Sequence, residues 1–289
     1  MFSNEFILAD RIDKIQQIIN KYGEDNFYIS YSGGRDSTVV SAMIDLALPY
    51  NKIPRVYADT GIEYNMIRDY VIKKASTDNR YVIIKPETPI IEMLKKEGYP
   101  FKSKEHAAKV GIYQRHKDLN MKTVKKYIEK DNRYKCPDKL LYQFTDACKL
   151  RISDKCCERL KEQPLNKWSK ENKKPYTILG IMRAEEGRRN RAECLVFRRD
   201  KLKAFQPLAP ITKDFEEWFI DKYNIEICDI YKQPYNFKRT GCKGCPFNPY
   251  LQKALDTMEK YFPNERKQCE IIWSDVYNEY RRISYRLKK

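Results

Sequence analysis

Asn26-Phe-Tyr-Ile-Ser-Tyr31, then Ser32-Gly33-Gly34-Arg35-Asp36-Ser37, then Thr38-Val-Val-Ser-Ala42 is the stretch on which the fold turns. Phe27, Ile29 and Tyr31 are bulky, β-favouring residues and predict a buried strand. Gly33 and Gly34 permit a sharp turn and a close backbone approach to a ligand. Asp36 and Ser37 suit a helix N-terminus, and Val39, Val40 and Met43 begin an apolar helical face. A helix that starts directly behind glycines presents unsatisfied N–H groups and the positive end of its dipole. Ser32–Ser37 is therefore read as an anion site suited to phosphate or pyrophosphate. No Gly-Lys-Ser/Thr follows, so it is not a Walker A loop.

Outward from this stretch the chain alternates strands and helices. Residues 3–22 place Phe6, Ile7, Ile12, Ile15, Ile18 and Ile19 near helical spacing, with Gly23 as C-cap. Arg55–Ala58 predicts a second strand ending in the polar turn Asp59-Thr60-Gly61, followed by a helix over 63–75. Tyr81–Lys85 predicts a third strand and Tyr176–Ile181 a fourth. This rhythm implies an α/β fold: a three-layer parallel twisted sheet with helices on both faces. Ligands of such sheets bind at the C-terminal strand ends, where both polar turns fall. Asp59 is read as a nucleotide or Mg2+ contact. Beyond the fourth strand come Arg183, Arg188, Arg189 and Arg191, and Arg183 is favoured as a phosphate or sulfate ligand because a guanidinium binds such oxygens in a fork.

Residues 86–175 lose the rhythm. Pro86, Pro89 and Pro100 punctuate the entry, and Lys122–Lys130 reads as a basic helix. The chain carries a net charge of +17, and residues 101–175 hold 21 Lys and Arg against 10 Asp and Glu. A surplus so concentrated favours a polyanion such as nucleic acid. The expected organisation is one domain over 1–289, with a basic, mainly helical insert at 101–175 and a C-terminal helical segment at 250–289. Lys213–Tyr223 predicts a further helix. No apolar run reaches membrane-spanning length, and Met1-Phe-Ser-Asn-Glu-Phe lacks the layout of a signal peptide, so the expected location is the cytoplasm, with no membrane partner.

In a reducing compartment nine cysteines point to metal binding or catalysis rather than disulfides. Two histidines, His106 and His116, leave little for a His-rich zinc hydrolase or a serine triad. Cys242-Lys-Gly-Cys245 aims two thiolates at one point, and Gly241 and Gly244 allow the tight backbone. Zinc, an iron–sulfur cluster and a redox dithiol are all open to it. The adjacent pair Cys156-Cys157 favours the cluster over zinc, and zinc over a dithiol. Consecutive side chains diverge, and the separate irons of a [4Fe–4S] cluster accommodate that more easily than one tetrahedral ion.

Ser32-Gly-Gly-x-Asp-Ser37 resembles the PP-loop of the ATP-pyrophosphatase and PAPS reductase superfamily. Cys156-Cys157…Cys242-x-x-Cys245 resembles the cluster signature of its iron–sulfur adenylyl-sulfate reductases. Asp59-Thr-Gly-x-Glu63 resembles the second nucleotide-contacting turn. Gly180-Ile-Met-Arg183-Ala-Glu-Glu186 resembles the Gly-x-Arg-x-x-Glu-Ser element, with one extra residue. The resemblance implies an adenine nucleotide alpha hydrolase-like fold. It implies nucleotide contacts from Ser32, Gly33, Gly34, Arg35, Asp36, Ser37, Asp59, Thr60, Gly61 and Arg183, with Asp36, Asp59 and Arg183 serving the chemistry. It also implies a [4Fe–4S] cluster on Cys156, Cys157, Cys242 and Cys245.

The reductases end in a Glu-Cys-Gly-Leu/Ile-His segment that supplies the nucleophile, and this sequence has none. Cys269 lies downstream, in a stretch that reads as a partly buried helix. Three functions follow from the resemblance. The first is ATP-dependent adenylation with pyrophosphate release, then sulfur transfer to nucleic acid gripped by residues 101–175, with sulfur from a donor protein. The second is reduction of adenylyl sulfate or phosphoadenylyl sulfate to sulfite, with Cys269 or an external thiol as nucleophile and a thioredoxin-like reductant. The third is a non-catalytic nucleotide- and nucleic-acid-binding subunit.

Overall fold

A computed structural model describes residues 3–129, 135–183, 191–238 and 240–288. Contacts gather the chain into two compact units. One comprises residues 1–59, 65–85 and 163–240, the other 60–64, 86–162 and 241–289. The chain thus passes repeatedly from one unit to the other, where the sequence predicts one domain with an insert. The stretch expected as an insert, 101–175, is itself divided, because its last part belongs to the first unit.

The first unit holds a six-stranded sheet: β1 (Phe27–Ser30), β2 (Arg55–Ala58), β3 (Tyr81–Ile84), β4 (Tyr176–Ile178), β5 (Leu195–Arg198) and β6 (Lys201–Phe205). Its order is β3-β2-β1-β4-β6-β5. β1 pairs in parallel with β2 and with β4, Phe27 lying opposite Tyr176. β3 and β6 extend the parallel register on either side. The expected wholly parallel sheet is corrected at one edge, where β5 runs antiparallel to β6. A two-residue connection cannot make a parallel crossover, so β5 and β6 form a hairpin. β1 and β2 are buried, as strands inside a covered parallel sheet must be.

Four of the five helices of this unit follow the predicted patterns. α1 (Asn4–Tyr22) is capped by Ser3 Oγ, which accepts from the Phe6 amide at 3.3 Å, and ends at Gly23 with φ +80°. α2 (Arg35–Ala47) starts at the glycine turn and packs on α1 and β1. α3 (Asn65–Thr77) follows β2, and α8 (Lys213–Lys222) begins at Thr212, whose hydroxyl accepts from the Phe215 amide. α7 (Gln163–Glu171), the fifth, was not foreseen; it packs against β2 and β3.

The second unit is mainly helical: α4 (Ile90–Glu97), α5 (Lys104–His116), α6 (Lys122–Glu129), α9 (Leu251–Tyr261), α10 (Pro263–Ile272) and α11 (Ser274–Arg282). The last three make up the helical segment expected after residue 250. α5 and α6 are pinned by the buried His106. Its Nδ1 lies 2.9 Å from Tyr127 Oη and its Nε2 2.6 Å from Gln143 Oε1, and burial holds its pKa down to about 4. His106 is thus a neutral core residue.

Candidate nucleotide and cysteine sites

The glycine loop closes on itself within a few residues. Ser37 Oγ donates to the Gly34 carbonyl at 2.8 Å and receives the Ser32 amide at 3.2 Å, while Thr38 Oγ1 donates to the same carbonyl at 3.0 Å. Gly33 has φ +70°, and a Cβ there would sit 2.7 Å from Val71 Cγ2, so α3 leaves it no room. Gly180 passes under the loop, with an added Cβ 2.6 Å from the Asp36 carbonyl oxygen. Two glycines from distant parts of the sequence thus let β1 and β4 end against the same turn. The first amides of α2 lack intrahelical partners by construction and open beside this turn.

A pocket of about 470 Å3 lies over the loop. Ser32, Gly34, Arg35, Asp36 and Ser37, among the residues expected to contact a nucleotide, line it, and Gly180 joins them. Two cations that the sequence reading passed over, Lys213 and Lys238, also line it, together with Tyr231 and Thr240, whose hydroxyls are hydrogen-bonded. Lys213 stands in the first turn of α8. Its Nζ lies 3.1 Å from Asp36 Oδ1 and 3.0 Å from Glu216 Oε2, and Arg35 reaches Glu216 at 3.4 Å.

Glu216 is fully buried and its Oε1 has no hydrogen-bond partner. Burial, reinforced by the Asp36 charge, raises its pKa to about 7, against the pull of Lys213. A buried carboxyl thus braces two cations from behind, with their outer faces left to the pocket.

Asp59 follows β2 and is buried, bound to Arg68 Nε at 3.0 Å. It does not line the pocket described here. Arg183 also lies outside that lining; its side chain is exposed and its Nε donates to the Ala192 carbonyl. Arg188, Arg189 and Glu186 lie outside the described residues. In the second unit, Thr60 and Glu63 form a closed turn around Gly61, with Thr60 Oγ1 2.8 Å from Glu63 Oε1.

All four paired cysteines belong to the second unit. Cys156-Cys157 opens a helical run that continues through a π-helical turn, Glu158–Glu162, a geometry often found at functional sites. Cys242 and Cys245 sit in a turn where Gly244 takes φ +60° and an added Cβ would meet Cys269 Sγ at 2.8 Å and Tyr277 Oη.

The four thiols sense one another. The Cys156 thiol donates to Cys157 and is pushed far up by that bond, by burial and by the Cys245 and Cys242 charges. The same bond, aided by Lys104 and Lys161, pulls Cys157 below the usual thiol range. Burial raises Cys242, and burial plus Cys242 takes Cys245 up to about 12.

Lys161, in the π turn, bonds Glu63 Oε1 at 3.0 Å. Burial opposes its charge, but Cys242, Glu63 and Cys157 outweigh that and raise its pKa. Such a cation among thiols balances the negative charge that thiolate ligation brings.

The donor set fits an iron–sulfur cluster in kind: four mutually interacting thiols and a neighbouring lysine. Among the described residues no group of three or more His, Cys, Asp or Glu side chains is drawn together so that it could hold a metal ion. Cys269 is fully buried, and burial raises its pKa to about 12.

Residues 111–248 match the model of the phosphoadenosine phosphosulfate reductase domain, which bears out the resemblance carried by the motifs. The match contains the four paired cysteines and Arg183, and it begins after both polar turns of the early strands. An uncharacterized protein of Methanocaldococcus jannaschii is 26% identical over 255 residues, which cover 82% of this chain and 48% of that protein. The chain therefore spans about half the length of this curated relative. Among solved structures, phosphoadenylyl-sulfate reductase from Candida auris in a phosphate complex aligns at 14% identity and TM-score 0.46, covering 84% of this chain and 96% of that one. The U34-tRNA thiolase NcsA from Methanococcus maripaludis, with its [4Fe-4S] cluster, aligns at 13% identity and TM-score 0.39, covering 94% and 80%. No helix among the described residues is long and apolar enough to cross a membrane.

Proposed function

From the phosphoadenosine phosphosulfate reductase domain matched over residues 111–248, we propose a nucleotide-using enzyme that adenylates its target with ATP and then transfers sulfur to it, the target being nucleic acid. The observation that carries this reading is the pocket of about 470 Å3 over Ser32–Ser37, lined by the glycine turn, the first residues of α2 and two lysines. An oxygen of the target attacks the α-phosphorus of ATP. The bond from that phosphorus to the bridging oxygen breaks, and pyrophosphate leaves into the loop. Lys213 and the amides of α2 stabilise the charge that develops on the leaving group. A sulfur nucleophile then forms a C–S bond at the activated carbon, and AMP departs with the original oxygen. Arg35 and Lys213, braced by Glu216, hold the phosphates, and Asp36 sets the position of Lys213.

Cys156, Cys157, Cys242 and Cys245 are the residues that would hold a [4Fe–4S] cluster, which supplies an iron site able to bind sulfur. Lys161 balances charge beside them. Mg2+ accompanies the ATP as a substrate ion. The basic stretch 101–175 favours the nucleic-acid target. Transfer is preferred over sulfonucleotide reduction because Cys269 is sealed in the core and protonated, so it is a poor nucleophile.

The test is anaerobic incubation of purified protein with ATP, a sulfide source and RNA or DNA. Pyrophosphate and AMP should appear in equal amounts and depend on the nucleic acid. Sulfite formed from adenylyl sulfate or phosphoadenylyl sulfate, with no pyrophosphate from ATP, would reverse the preference. Nucleotide and nucleic-acid binding with no turnover of either kind would leave the binding-subunit reading standing instead.

A further inference from the structure

The hairpin that corrects the parallel sheet carries a second feature. Between α7 and β4–β6, within the first unit, lies a groove of about 650 Å3. Its wall includes Asn166, Ser169 and Lys170 from α7 and Phe197, Arg198 and Lys203 from the hairpin. Phe197 is 51% exposed, on the edge strand of the sheet.

Three details of the hairpin run against the ordinary rules of β structure. Its two-residue turn is Arg199-Asp200, with φ +51° and +59°, where such turns prefer Asn-Gly or Asp-Gly. The register brings Arg198 directly opposite Lys201, a like-charge pair that works against pairing. Between Val196/Ala204 and Phe197/Leu202 the ladder slips, leaving Lys203 as the extra residue of a bulge, a device that re-aims a side chain. Lys170, Arg198 and Lys203 make no ion pair among the described residues. Positive charge crowded against its own kind, with an aromatic ring bared among it, is stabilised when a polyanion with stacking faces arrives.

We propose that this groove is a docking track for single-stranded RNA, with a base stacked on Phe197 and phosphates running along Lys170, Arg198 and Lys203. Asn166 adds an amide, and Ser169 Oγ, whose proton goes to the Lys174 carbonyl at 2.7 Å, adds an acceptor, partners of the kind that engage a ribose 2′-hydroxyl and base edges. The inference rests on the nucleic-acid part of the function proposed above. It adds the class of nucleic acid and a location that includes the β5–β6 hairpin, outside the 101–175 stretch.

The test uses the full chain and a fluorescein-labelled, mixed-sequence 20-nucleotide RNA, read by anisotropy over a salt series without ATP. Phe197→Leu should weaken binding about tenfold, and Phe197→Trp should restore it, since a base stacks on an aromatic face. Lys170→Ala with Lys203→Ala should flatten the slope of log affinity against log salt by about 1.4, from roughly 0.7 per phosphate contact on a single strand. DNA of the same sequence should bind more weakly.

Equal binding by Phe197→Leu and wild type, an unchanged salt slope, or DNA binding as tight as RNA would each overturn the proposal. So would vesicles of phosphatidylserine capturing the protein through these residues while RNA is ignored. Circular dichroism and thermal melts of each variant separate misfolding from lost contact, and the Phe197→Trp rescue stands apart from both. RNA binding that passes these tests, with no pyrophosphate formed from ATP, would overturn the enzymatic reading and leave the track in place.

Discussion

The glycine-loop pocket and the four-thiol site solve opposite problems. The pocket is built around a turn whose hydrogen bonds run between residues 32 and 38, and its cations face outward. The proposed thiol site would draw on Cys156-Cys157 and on Cys242 and Cys245, far apart in sequence, whose thiols influence one another, with Lys161 beside them. The first is set by local backbone rules that neighbouring residues enforce. The second exists only when tertiary packing brings its halves together. A local site should therefore lose its ligand before its unit loses its fold, and an assembled site should lose both at once.

The harshest break of that comparison is Gly244→Ala. A Cβ would strike Cys269 and the Tyr277 hydroxyl at a φ of +60°, and about 3–5 kcal/mol of destabilisation is expected. Iron incorporated on anaerobic expression should fall with thermal stability. Retained iron in a destabilised protein would separate the site from its packing.

Gly33→Ala comes next, at about 2–4 kcal/mol, because Val71 and Ile67 crowd the added methyl at φ +70°. Isothermal titration should show ATP binding lost while iron content is kept. Joint loss would mean that the two sites answer to each other.

Lys213→Ala should leave the fold intact and weaken pyrophosphate binding about 10- to 100-fold, the value of a charge-assisted contact. Normal binding would move the anion away from α8.

The smallest effect sits behind the pocket. The Glu216 carboxyl is raised from 4.5 to about 7, so the folded state holds its proton more tightly than the unfolded chain. Its contribution to stability is full below about pH 4.5 and is lost as pH rises through about 7. The slope should reach no more than about 1.4 kcal/mol per pH unit. Urea melts of Glu216→Gln should lack that slope. An identical pH profile would place the titration on another group.

What the sequence disclosed follows the same division. Strand β1, the glycine turn and α2 could be read because each depends on near neighbours: β-favouring Phe27 and Ile29, then glycines, then a helix-starting Asp36. The cysteine pairs were legible as pairs. Their grouping came only through the family resemblance, since it depends on how α9–α11 and the π turn pack.

Lys213 and Glu216 were passed over because their meaning arises from facing Asp36, a relation no local window contains. Lys161 stands one helical turn after Cys157 and was visible by spacing alone. Arg183 is the converse case. Its place behind a strand suggested a ligand; its Nε donates to the Ala192 carbonyl and it is not among the residues lining the pocket, so its role as a ligand stands as a proposal. The β5–β6 hairpin escaped notice because Arg199-Asp200 carries no glycine or asparagine to announce a turn.

The interleaving of the two units has a consequence for how the protein is made. Phe27 emerges early from the ribosome, yet its neighbour Tyr176 comes much later, and the strand order closes only with β6. At about 5–20 residues per second, the sheet stays open for roughly 10–35 s of translation. Meanwhile residues 86–162, released midway, wait for the C-terminal helices of their own unit. Nascent chains of this protein should therefore lean on holdase chaperones until synthesis is nearly complete, and no single cut of the chain separates one unit from the other.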